Sequence, residues 1–203
     1  MHQLISILRV AAVAMLMAFS LQAYPNAMTL LGGSTQAHQC FTTAKMIAEG
    51  NFRKLADSEP CTIALKEEAM SRRDRAATFL NRGLIRAANS DFEGAHDDYD
   101  EAIKVNPDIE AIVHINRGNS YYMQQQYQFA MESYSTAIEM DVKQMHVAVH
   151  NQAMVYEKLG DLEAAEAGFM KALEMVEGWE TAQRRLDRVR EKIREKKEKA
   201  KAQ

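Results

Sequence analysis

Residues 116–141 read NRGNSYYMQQQYQFAMESYSTAIEMD. Two helical patterns meet there across the polar turn Gln124-Gln125-Gln126. The first carries Gly118 and Tyr121, the second Ala130, Tyr134 and Ala137. Small residues let two antiparallel helices approach closely, and the aromatics fill the space beside the contact. Such a pair cannot hide its apolar face alone and needs neighbours of the same kind.

The neighbours are in the chain. Ala95, Ala130 and Ala165 are 35 residues apart, as are Ala102, Ala137 and Ala172, the aromatics Tyr99, Tyr134 and Phe169, and Asn81, Asn116 and Asn151. A helix pair of this period, with small-x3-aromatic in its second helix, is the signature of the tetratricopeptide repeat, and residues 76–180 resemble that family. The resemblance implies an all-α, right-handed solenoid of antiparallel helix pairs with three repeats, 76–110, 111–145 and 146–180. The chain departs from the pattern at Arg82, Arg117 and Gln152, where leucine is usual, and at Arg86, where an aromatic is. Val142 and Glu177 replace the closing proline that Pro107 supplies in the first repeat. Asp97, Asp98, Glu101 and Glu132 are the acids within reach of those arginines, while Asp97, Asp98, Asp100 and Glu101 together read as the wet face of a second helix.

Residues 1–23 read as a secretory signal: a weakly basic start, then the apolar run Val10–Leu21, with cleavage after Ser20 or Ala23. The alternative is an N-terminal membrane anchor, for which the run is short. Residues 24–36 mix Pro25, Gly32, Gly33 and Ser34 without periodicity and read as a leader. Residues 37–75 form a degenerate leading helix pair, because Cys61-x2-Ala64-Leu65 repeats the spacing of Tyr99-x2-Ala102-Ile103. In that register Cys40 and Cys61 face one contact, and in an exported chain they are expected to form a structural disulfide. Ser58 and Pro60 read as the start of its second helix, and Ser71–Arg75 as a charged joint. Residues 181–203 begin with the stripe Ala182, Leu186, Val189, Ile193, suited to capping a solenoid, and end in a basic tail.

The formal net charge of −3 hides an asymmetry, since residues 184–203 hold ten Lys/Arg against four Asp/Glu. The acidic body excludes nucleic acid, whose binding rests on phosphate neutralisation. The tail offers membrane contact as an alternative, less favoured role. No nucleophile elbow, phosphate-binding glycine loop or metal spacing is present, so no enzyme, cofactor or metal is expected. His146 and His150, four apart, lack a third ligand; the first is expected to be exposed and the second to line a groove. The family resemblance implies a concave groove along the first helices that holds a peptide or protein partner. By register it is lined by Asn81, Leu84, Ile115, Asn116, Asn119, Tyr122, Met123, His150, Asn151 and Met154, with Ala77, Ala88, Ile112, Val147 and Lys158 beside them. The row Asn81, Asn116 and Asn151 either holds a peptide backbone, since a carboxamide is both donor and acceptor, or bridges adjacent helices. A structural assembly subunit using the convex face or the ends is the alternative.

Overall fold

The computed structural model describes residues 35–50, 55–140 and 144–201. The signal segment 1–23, most of the leader 24–36 and Val142 lie outside the described residues. Those described form nine α-helices: α1 (Thr35–Ala48), α2 (Glu59–Glu67), α3 (Arg72–Ala88), α4 (Phe92–Val105), α5 (Glu110–Met123), α6 (Tyr127–Glu139), α7 (Met145–Leu159), α8 (Leu162–Met175) and α9 (Glu180–Lys201). Each helix packs on its chain neighbour, giving the successive pairs α1–α2, α3–α4, α5–α6 and α7–α8, with α9 laid on α8. The chain is an all-α solenoid. None of the described helices is long and apolar enough to cross a membrane.

The helix starts follow their side chains. Asp91 and Asp161 each accept the amide of the third residue after them, Gly94 and Ala164, which satisfies a donor that the first turn leaves free. Ser71 does the same for Asp74. Ser71 is therefore a cap, and Arg72–Arg75, expected as a joint, are the opening turn of α3. Ser58 makes no such bond with its side chain; Asp57 instead accepts from the Glu59 amide at 2.8 Å, another of the donors that the first turn leaves free. Helix α7 ends on Gly160 at φ 82°, a left-handed residue that costs glycine nothing. Helix α9 stays helical to Lys201, eight residues past its last apolar contact at Ile193.

Within the first two repeats an aromatic of the second helix lies on a residue without room for a side chain. A Cβ added to Gly83 would meet the Tyr99 ring at 2.5 Å, and one added to Gly118 would meet Tyr134 at 2.5 Å. In the third repeat the first helix carries Ala153, and the clearance moves to the opposite helix, where a Cβ on Gly168 would meet that of Ala153 at 2.7 Å. The 35-residue pattern thus encodes a distance of approach as well as a fold. Gly118→Ala gains helix propensity but overpacks this contact, and is expected to destabilise the chain by about 1–2 kcal/mol. A lowered urea midpoint at constant m-value is the result that checks it; an unchanged midpoint would mean that Tyr134 moves freely.

The polar residues that interrupt the pattern are paired. Arg82 donates to both oxygens of Asp98, at 2.6 to 3.1 Å, and to Thr62 of α2 at 3.2 Å. Arg86 donates to the same carboxylate at 3.0 Å and to the Gly94 carbonyl at 3.1 Å. Asp98, expected on a wet face, is 1% exposed, because two guanidiniums between the helices replace its water. Burial raises the Asp98 carboxyl from its ordinary value, while its hydrogen bond to Arg82 and the charges of Arg82 and Arg86 pull it down. Arg117 pairs with Asp100, and Gln152 donates to Ser135. Both reach back 17 residues to the preceding second helix, so one geometry serves two repeats.

Candidate functional site

Helices α3, α5 and α7 carry the residues assigned to the concave face, and the structure divides these into three groups. The first group surrounds one small hollow: Leu84 and Ala88 of α3, with Asn116, Asn119 and Met123 of α5. Its wall also holds Ile47 of α1, which sequence reasoning did not place there. The signal for Ile47 was the spacing Ala44, Ile47, Ala48, one face of a helix. Asn81 lies on α3 and is fully buried.

The second group is the seam between repeats. Ile115 packs with Ala137, Val147 and Ala148. Tyr122 stands edge-on to Tyr127 at 5.8 Å, and burial pushes its hydroxyl up to about 12. Met154 packs with Leu186, Val189 and Ile193 of α9, where the capping helix covers it.

The third group is a polar chain. Asn119 Oδ1 accepts from the Tyr134 hydroxyl at 2.7 Å and from Asn151 Nδ2 at 2.8 Å. Asn151 Oδ1 in turn meets His150 Nδ1 at 3.1 Å. The chain joins α6, α5 and α7, so Asn119 and Asn151 bridge adjacent helices. Asn119 Nδ2 is buried without a partner, a state that costs about 1–3 kcal/mol.

The expected row is therefore less open than a trough. His150 is fully buried, and Asn151, Leu84, Ile115 and Met154 are each at most 6% exposed. The covers are α1 over the first repeat and, over the third, Trp179 at that repeat's own end with α9 beyond it. His146 is half-buried, standing edge-on to Trp179 at 5.4 Å. His150 lies 4.7 Å from the Trp179 ring and 5.2 Å from Phe169, with Nε2 unpartnered. That arrangement fits a neutral ring protonated on Nδ1. Burial lowers its pKa to about 4.

The sign for stability follows. Unfolded, His150 takes a proton as the pH falls below 6.5; folded, it resists until about 4. Its stabilising contribution is complete above 6.5, falls as the pH drops toward 4 and levels off below that. The loss at pH 5 is expected to be about 2 kcal/mol relative to pH 7. Urea titrations followed by the fluorescence of Trp179, the one tryptophan in the chain, check this. His150→Phe should flatten the pH 7 to pH 5 difference, and an undiminished difference would assign it to other groups.

Among the described residues no group of three or more His, Cys, Asp or Glu side chains could hold a metal ion. Residues 147–175 match the model of the tetratricopeptide repeat. The chain has a tetratricopeptide-repeat fold. It is similar to the tetratricopeptide repeat domain of Arabidopsis OM64, at 23% identity and a TM-score of 0.52, over 60% of this chain and 98% of that domain. It is also similar to the N-terminal domain of stress-induced protein-1 from C. elegans, at 20% identity and a TM-score of 0.49, over 60% of this chain and 99% of that one. No curated protein matches the sequence. The residues that match the repeat model lie on α7 and α8. The leading pair α1–α2 adds the disulfide between Cys40 and Cys61, whose sulfurs are joined across a separation of 21 residues, both cysteines being fully buried.

Proposed function

We propose that this chain is an exported, non-catalytic interaction module that holds a segment of a partner protein on the concave side of its first helices. The observation that carries the reading is the hollow between α3 and α5. Apolar side chains from two repeats, Leu84 and Met123, frame it with Asn116 and Asn119, and a carboxamide nitrogen of Asn119 has no acceptor there. A partner's main-chain carbonyl oxygen entering that space toward Asn119, with an apolar side chain laid against Met123, satisfies both features. Export rests on the apolar run Val10–Leu21 of the signal segment, and a buried disulfide supports an oxidising compartment.

A photo-crosslinking amino acid placed at Met123, compared with one at the exposed Phe129 of α6, tests this in the native compartment. Capture of one defined protein from Met123, lost on adding Asn116→Asp, is the expected result. Capture from Phe129 alone would favour the assembly subunit that uses its outer face.

A further inference from the structure

Asn81 is fully buried, yet neither its Oδ1 nor its Nδ2 has a hydrogen-bond partner. On α3 it follows Thr78 by three residues and precedes Leu84 and Ile85 by three and four, so it shares their face. That face is where α1 packs. Cys40 lies against the Thr78 carbonyl, and Cys40, Ala44, Ile47 and Ala48 cluster with Leu84 and Ile85. A donor and an acceptor both left idle under an apolar helix is a disfavoured arrangement, and leucine of similar volume would seal the contact better. Ile47 extends the same cover into the hollow, beside Asn119, whose Nδ2 is idle as well. Asn81, with both polar atoms idle, and Asn119, with its Nδ2 idle, thus lie along the path of one helix.

We propose that α1 is a displaceable cover over the first-repeat end of the concave face, holding a place that a partner's helix takes. The displaced helix is the template for that partner. It is an amphipathic segment with a small aliphatic stripe like Ala44, Ile47 and Ala48, and it brings a polar side chain that reaches Asn81. The hinge is built in. Cys61 holds α1 near its middle at Cys40, and α2 is tied to the solenoid by Arg75 on the Leu65 carbonyl. Asn89 holds Ala56, just ahead of α2, through both its amide and its carbonyl. The half of α1 after Cys40 lifts while α2 stays in place. The identity of the partner as a protein helix rests on the function proposed above; the movement of α1 does not.

Hydrogen exchange by mass spectrometry on the oxidised, full-length chain tests the movement. Amides of residues 41–48 are expected to exchange well before those of α7, and Asn81→Leu to slow them roughly tenfold by removing the idle amide. Exchange of 41–48 only with global unfolding, or no response to Asn81→Leu, overturns the cover. The partner class is tested with a labelled synthetic peptide of residues 35–50 carrying Cys40→Ser. Added to the Ile47→Asp chain, whose own cover is loosened, it should bind at least roughly tenfold tighter than to the native chain. Equal binding to both overturns the helical partner. Neither measurement uses the crosslinked partner, so failure here leaves the Met123 result intact, and failure there leaves this one.

Discussion

Asp98→Ala is expected to cost about 3 kcal/mol of folding stability, because it strands the Arg82 guanidinium between packed helices and takes from Arg86 its nearest counter-ion. Asp98 is 1% exposed and receives hydrogen bonds from both Arg82 and Arg86. Removing the carboxylate leaves Arg82 without its counter-ion and Arg86 with only the longer pair to Asp91 at 3.6 Å, and Arg82 also loses the group that orients it toward Thr62 of α2. In a chain of this size such a loss lowers Tm by roughly 6–12 °C. Asp97→Ala is the control, since Asp97 is exposed on the same helix; it should change stability by under about 0.5 kcal/mol. A drop below about 1 kcal/mol for Asp98→Ala would mean that the pair behaves as a surface ion pair. Replacing all three residues by apolar ones of similar size is expected to recover most of the loss, which separates the cost of a stranded charge from the worth of the pair.

The second large effect is expected from removing the disulfide. The double change Cys40→Ala, Cys61→Ala frees a loop closed over 21 residues, a constraint worth about 3 kcal/mol. Its distribution is more telling than its size. In a solenoid each unit leans mainly on its neighbours, so amide exchange should rise across α1 and α2 and much less across α5 to α8. Uniform acceleration through every helix would show that the leading pair is part of one indivisible core.

The repeat was legible because its contact is pairwise and local. Gly118 facing Tyr134 is a statement about two side chains 16 residues apart, and it recurs with a period that the letters display. The charged interruptions were legible as a need for partners, but Asp98 reads like Asp97 and Asp100 until the helix turns it inward. The groove assignment depended on more than register. The same row of positions was placed on the first helices, yet whether Asn81, Leu84 or Met154 meets solvent depends on α1 and α9. Those helices carry no repeat signature, and their placement rests on many weak apolar contacts. Of the asparagine row Asn81, Asn116 and Asn151, for which holding a partner and bridging helices were both open from the sequence, Asn151 makes a bridge, to Asn119, whereas the Asn81 side chain makes no hydrogen bond. Ile47 was the informative residue that went unmarked, because a lone isoleucine on a short helix looks like ordinary core.

Glu157 near the end of α7 is held by Arg185 at 3.4 Å and Lys192 at 2.5 Å, both from α9, while α9 grips α8 through Arg190 and Glu166 at 2.7 Å. A terminal helix clamped to two predecessors does not peel off singly. Under a pulling force on the carboxyl end, the load passes to α7 as soon as it reaches α8. The last repeat is then expected to rupture as a block, in a single force peak, instead of unzipping helix by helix.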